Sequence, residues 1–263
     1  MGFLAAILYA LLMNGIPLAA VIYTGGSPAV LLLLYWFETV LMVVTGAIRI
    51  VLHRRSTEKT GHYVTSTAAS SKGATAATVR AAVGKRNDFL KGFLSITVVF
   101  TIAHGLFVLL LVFLFKIAGP VSWDDARWAL NYAIVVQGLF LLWDLPQLRG
   151  WSFAQLGQSV GQVQVRVLVT QLGLIFGLVG AGITGSPWGL VGTFVVMRAL
   201  CDALMAGLQG FMKRRDLPPG LARVLARKSK QSVESLEAEF DAMKRDSAQV
   251  EALLERPVAE LRR

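Results

Sequence analysis

Five polar side chains interrupt runs that are otherwise apolar: Asn14, Glu38, His104, Gln137 and Arg198. Ionisable groups inside hydrocarbon are costly, so each one raises a functional question. A carboxylate facing a guanidinium can form a buried ion pair, and a histidine beside a carboxylate can relay a proton. Asn and Gln supply donors and acceptors to either arrangement. Arg166 and Asp202 add a second base and a second acid. Two acids against two arginines make a neutral set, as a low-dielectric interior requires. Arg198 and Asp202 are one helical turn apart, so an intrahelical pair is also open to them. Tyr35, three residues before Glu38, can hydrogen-bond into the same set.

Catalytic groupings are scarce. Ser95 and His104 are nine residues apart, too far to touch along one helix. Ser186 lacks a Gly-x-Ser-x-Gly context, there is no HExxH, and His53, His62 and His104 do not cluster in the sequence. Cys201 is the single cysteine and reads as a small packing residue. The sequence therefore assigns no catalytic residue, cofactor or metal, and argues against an enzyme. The smaller glycine signals, Gly173 and Gly177 above all, read as close helix packing.

These residues need elements to hold them. Of 263 residues, 55% are hydrophobic and only 16% are charged, with mean hydropathy +0.59. That excludes a disordered chain and an ordinary soluble enzyme. Six stretches are long enough for a bilayer core of about 30 Å: 2–24, 28–52, 91–115, 128–146, 160–183 and 188–212. A span must satisfy its own backbone hydrogen bonds, so the fold class is all-α, a polytopic bundle of six transmembrane helices. Pro17 should kink the first. At 1.5 Å per residue, Asn14, Glu38 and Gln137 lie about 15 Å from the outer ends of their spans, Arg198 and His104 about 16–18 Å. Asp202 and Arg166 lie deeper, at about 22 and 27 Å. The first five thus share one layer from five helices.

Lysine and arginine set the orientation. Arg54, Arg55, Lys59, Lys72, Arg80, Lys85 and Arg86 follow the second span, and Lys213, Arg214 and Arg215 follow the sixth, whereas the three opposite loops hold only Arg127. Both termini are expected in the cytoplasm. Residues 1–215 form the membrane domain, with a flexible cytoplasmic loop over 54–88, and 216–263 form a cytoplasmic helical tail. Arg223, Arg227 and Lys228 mark a basic amphipathic stretch that, with Arg54, Arg55, Lys213, Arg214 and Arg215, suits anionic lipid headgroups. Val233, Leu236, Phe240, Met243, Ser247, Val250 and Leu254 follow at three- and four-residue spacing. Residues 233–254 can therefore meet a protein partner or pack on the chain's own cytoplasmic face. No recognition motif accompanies the basic residues, so nucleic acid is not an expected partner. The six tryptophans mostly lie at span ends, as interface anchors do.

Four short motifs stand out: Asn14-Gly15-Ile16-Pro17, Tyr35-Trp36-Phe37-Glu38, His104-Gly105-Leu106-Phe107, and Arg198 four before Asp202. Together they resemble an uncharacterised family of bacterial multi-pass membrane proteins. The resemblance implies a bacterial origin and an inner-membrane address, ends near residue 212, and carries no activity. Thr39 stands where Asn is expected after the glutamate, and no histidine follows Asp202.

Three functions fit. The preferred one makes the midplane set a structural network holding the bundle. A second makes it a solute or proton path through Glu38 and His104. The third makes the chain a subunit or assembly factor of a membrane complex, binding through its tail.

Overall fold

The computed structural model of the chain describes residues 18–19, 21–23, 25–64, 89–212 and 232–261. These are helical throughout apart from turns, with one isolated bridge between Lys59 and Pro257. Asn14, Pro17, the loop beyond Val64, and Lys213, Arg214, Arg215, Arg223, Arg227 and Lys228 lie outside the described residues.

Helix α1 runs Pro28–Thr57, with Pro28 in the first turn after an extended Ser27. Proline suits that turn because its missing N–H would have had no partner there. Arg54 and Arg55 occupy the last turn, where cations favour the helix dipole. Helix α2, Phe89–Leu109, continues through a π-helical turn, Leu110–Leu114. Helix α3, Trp123–Asp144, is started by Ser122, whose hydroxyl accepts from the Asp125 N–H. Asp124 and Asp125 put negative charge at the dipole's positive end. Helix α4, Phe153–Thr184, opens on a reciprocal cap. Ser152 N–H donates to Gln155 Oε1 at 2.8 Å, and Gln155 N–H to Ser152 Oγ at 3.1 Å. It ends on Gly185, whose φ of +62° a side chain would strain. Helix α5 is Pro187–Met212, α6 is Val233–Glu255 and α7 is the single turn Val258–Leu261.

Four of these are long and apolar enough to cross a membrane: Pro28–Thr57, Phe89–Leu114, Phe153–Thr184 and Pro187–Leu204. The expected fourth span forms as helix α3, starting five residues earlier than 128 and ending two before 146. It is not among those four; Asn131, Gln137 and Asp144 dilute its apolar run. The expected first span falls almost wholly outside the described residues.

Glycine sets the tightest helix pair. A Cβ at Gly177 would lie 2.7 Å from the Leu190 carbonyl, and one at Gly180 would lie 2.7 Å from that of Gly189. Helices α4 and α5 can therefore approach backbone to backbone. The outward faces stay apolar, with Val99, Ile102, Leu142, Val179, Ile183 and Val196 exposed.

The interior is divided. One apolar cluster gathers Leu31, Tyr35, Leu111, Ala133, Leu174 and Phe194; another gathers Met42, Ile50, Phe93, Leu156, Val163 and Leu254. On every main helix the polar residues fall at or between those two sets. They include Thr39 on α1, Thr97, Thr101 and His104 on α2, Gln137 on α3, Thr170 on α4 and Arg198 on α5, all buried.

One expectation fails here. The chain from 54 was expected to open a flexible loop, but it is helical to Thr57 and then forms a 3-10 turn, Thr60–Tyr63. Composition pointed to a loop because nothing local shows the long-range partners that hold this segment.

A buried charge layer, a polar cavity and a histidine corner

In the layer between the two clusters, Arg198 Nη2 donates to Glu38 Oε2 at 2.8 Å. Their side chains are 3% and 12% exposed, and the Tyr35 ring lies beneath the guanidinium at 4.7 Å. Arg198 Nε and Nη1 are buried and find no acceptor among the described residues. Trp36 reaches across to α2, where its indole N–H donates to the Thr101 carbonyl at 3.1 Å. Gly105 makes that approach possible, because a Cβ there would stand 2.5 Å from the Trp36 ring. The Tyr-Trp-x-Glu and His-Gly-x-Phe motifs are thus two halves of one contact.

The remaining predicted members go elsewhere. His104 Nδ1 pairs with Gln171 Oε1 at 3.1 Å, not with Glu38. The amide oxygen can only accept, so Nδ1 carries the proton. Arg166 Nε lies 3.3 Å from Asp202 Oδ1, so this acid takes a guanidinium on a neighbouring helix. Gln137 is buried on the wall of a cavity. Glu38, Tyr35 and Arg198 therefore form one group, Arg166 and Asp202 a second, His104 and Gln171 a third. Asn14 lies outside the described residues.

A further ion pair escapes a sequence reading. Arg49 Nε and Nη2 both contact Asp144 Oδ2, at 2.9 and 2.8 Å, joining α1 to α3. The available signal was that both residues sit close to the same ends of their helices. The same pair edges a cavity of about 430 Å³ between α1, α3 and α4, walled also by Gln155, Gln158, Gln162 and Arg166.

At the Arg54 end the histidines correct the sequence reading. His53 and His62, which no spacing grouped, meet at 2.7 Å between Nδ1 and Nε2, while His104 stays apart on α2. His53 Nε2 lies 3.1 Å from the Trp151 carbonyl, so that nitrogen must donate and Nδ1 must accept. His62 therefore donates from Nε2, leaving its Nδ1 buried and unpartnered. Burial first, and then His53, Arg54 and Lys59 nearby, push the His62 imidazole down to about 3. Glu58, with φ of +48°, turns the backbone sharply enough to bring the two rings together. No glycine announces that turn.

The same corner holds the end of α6. Thr60 donates to the Arg256 carbonyl from N–H at 2.8 Å and from Oγ1 at 2.7 Å. Val258 N–H returns a bond to the Glu58 carbonyl at 3.2 Å. Lys59 Nζ meets Glu255 at 2.6 Å and the Trp151 carbonyl at 2.9 Å, and Glu255 accepts from the Phe153 N–H. Val250, Leu253 and Leu254 are buried among Val64, Phe153 and Leu156. The described end of the tail is folded back on the bundle.

A family model described as "Family of unknown function (DUF6498)" matches residues 3–231. The chain belongs to that family. The DUF6498 match takes in the charge layer, the cavity and both histidines of the corner, and stops before α6. No curated protein and no solved structure matches the chain. Among the described residues no group of three or more His, Cys, Asp or Glu could hold a metal ion.

Proposed function

We propose that this DUF6498 chain is an integral membrane bundle whose buried charges hold helices together rather than carry a solute. The membrane setting we propose is six spans, both termini cytoplasmic, in the inner membrane of a bacterium. Four described helices of sufficient length and apolarity support the membrane setting, and the basic residues at the Arg54 end support the orientation. Fusing a reporter after residue 120 and another after residue 150 tests the topology, which requires opposite sides.

The observation that carries the structural reading is the pairing. Glu38 goes to Arg198, Arg166 to Asp202, and Arg49 to Asp144, each on a different helix. A transport path through Glu38 and His104 would require open space beside them, and the polar cavity among the described residues is walled by neither. The complex-subunit reading would use the apolar face of α6. Its Val250, Leu253 and Leu254 are already spent on the chain's own corner, which favours self-docking over a partner there.

Glu38→Gln separates these readings. It keeps the shape and removes the charge that faces Arg198. The structural reading expects lower thermal stability in detergent together with any loss of cellular phenotype. A variant that keeps full stability yet loses transport or growth would overturn it.

A further inference from the structure

The open space of the cavity has no part in that reading, although Arg49, Asp144 and Arg166 wall it, and its chemistry is specific. On α4, Gln155, Gln158, Ser159, Gln162 and Arg166 recur at three- and four-residue intervals and so line one face. Carboxamides facing hydrocarbon would be costly, so this face is built for water or a polar ligand. Across the cavity Gln137, only 7% exposed, forms part of the opposite wall. Its carboxamide brings a donor and an acceptor to that wall.

The charges at the wall are unequal. Arg49 is held at short range, with Nε and Nη2 on one oxygen of Asp144. Arg166 is not. It meets Asp202 at 3.3 and 3.5 Å, and its Nη1 reaches only the Met42 thioether at 3.5 Å, a weak acceptor. The loosely engaged charge at the wall is therefore positive, and a guanidinium presents paired donors to an oxyanion. Each glutamine offers both donor and acceptor, the complement of a hydroxyl. A volume of about 430 Å³ is enough for a small molecule of that kind.

We infer that the cavity binds an oxyanion that carries hydroxyl groups, the glycerol phosphate class. Arg166 and Gln137 hold the anionic oxygens, and Gln155, Gln158 and Gln162 hold the hydroxyls. Such a group occurs as a lipid headgroup, in phosphatidylglycerol, or as a free solute, in glycerol 3-phosphate.

The test uses the full purified chain in detergent. Glycerol 3-phosphate, short-chain phosphatidylglycerol and short-chain phosphatidylcholine are each titrated, with binding read by native mass spectrometry and by the unfolding midpoint. Binding of phosphatidylglycerol alone assigns the lipid source, and binding of glycerol 3-phosphate assigns the soluble one. The Gln158→Leu/Gln162→Leu double variant should then weaken that binding at least tenfold. Both side chains are exposed, so the ligand-free midpoint should not fall. Gln137→Leu should act in the same direction. The inference is overturned if neither anionic compound binds better than phosphatidylcholine, or if the double variant binds as well as the parent chain.

Discussion

The charge layer and the histidine corner both join segments that are far apart in sequence, yet they do it by opposite means. Glu38 and Arg198 are 160 residues apart and touch through one short bond, with two guanidinium donors left over. Thr60 and Arg256 are 196 apart and are joined by two hydrogen bonds, with a third returning from Val258 to Glu58. The layer is nearly dry, whereas Lys59 and Glu255 keep 19% and 28% of their side chains exposed. A dry pair is hard to lose singly, because the survivor stays buried without a partner; a wet one can be broken cheaply. The layer therefore fixes which helices are neighbours, and the corner fastens a segment that can be released.

Breaking the layer from one side should have the largest effect. Arg198→Leu leaves Glu38 unpaired in the interior and should cost about 3–5 kcal/mol of stability in detergent. Adding Glu38→Leu should recover more than half of that loss. A double variant as unstable as the single one would show that the cost comes from packing rather than from the stranded charge. Gly105→Ala comes next. The new methyl collides with Trp36, and overpacking of this kind costs about 1–3 kcal/mol. Thermal unfolding measures both.

At the corner the expected effects depend on pH. His62 titrates near its ordinary value once unfolded but only near 3 when folded. The unfolded chain therefore binds the extra proton between those values, and folding loses stability as pH falls through that window. The slope is about 1.4 kcal/mol per pH unit, and above the ordinary histidine value it vanishes. His62→Gln should flatten the profile in a pH series of unfolding midpoints, and a profile that keeps its slope would assign it elsewhere. Smallest of all, Glu255→Gln should cost about 1 kcal/mol or less, because its pair with Lys59 is partly solvated. Hydrogen exchange at Thr60 and Val258 would register it as faster local opening. No change there would mean that the backbone bonds hold the corner without the ion pair.

How much of this the sequence disclosed depends on the range of the interaction. Hydropathy placed four of the described helices because lipid-length apolar runs are local signals, and Ser122, Ser152 and Ser232 start α3, α4 and α6 by local caps. Depth along each helix put Glu38 and Arg198 at one height. It could not set rotation about the helix axis, and so could not foresee that His104 turns to Gln171. That the residues from Gln155 to Arg166 wall a cavity was not legible, since that needs Gln137 and Asp144 from another helix. The corner was least legible. Its turn hangs on a glutamate in a left-handed conformation, and its fastening comes from almost the other end of the chain.

The bridge between Lys59 and Pro257 also orders events during synthesis. Helix α1 leaves the ribosome early, but Thr60 must wait for Arg256 to emerge before its donors find their carbonyl. All the helices between are translated in that interval. A chain stalled before Glu255 would hold its charge layer yet present an unlatched edge, with Val64 and Phe153 uncovered.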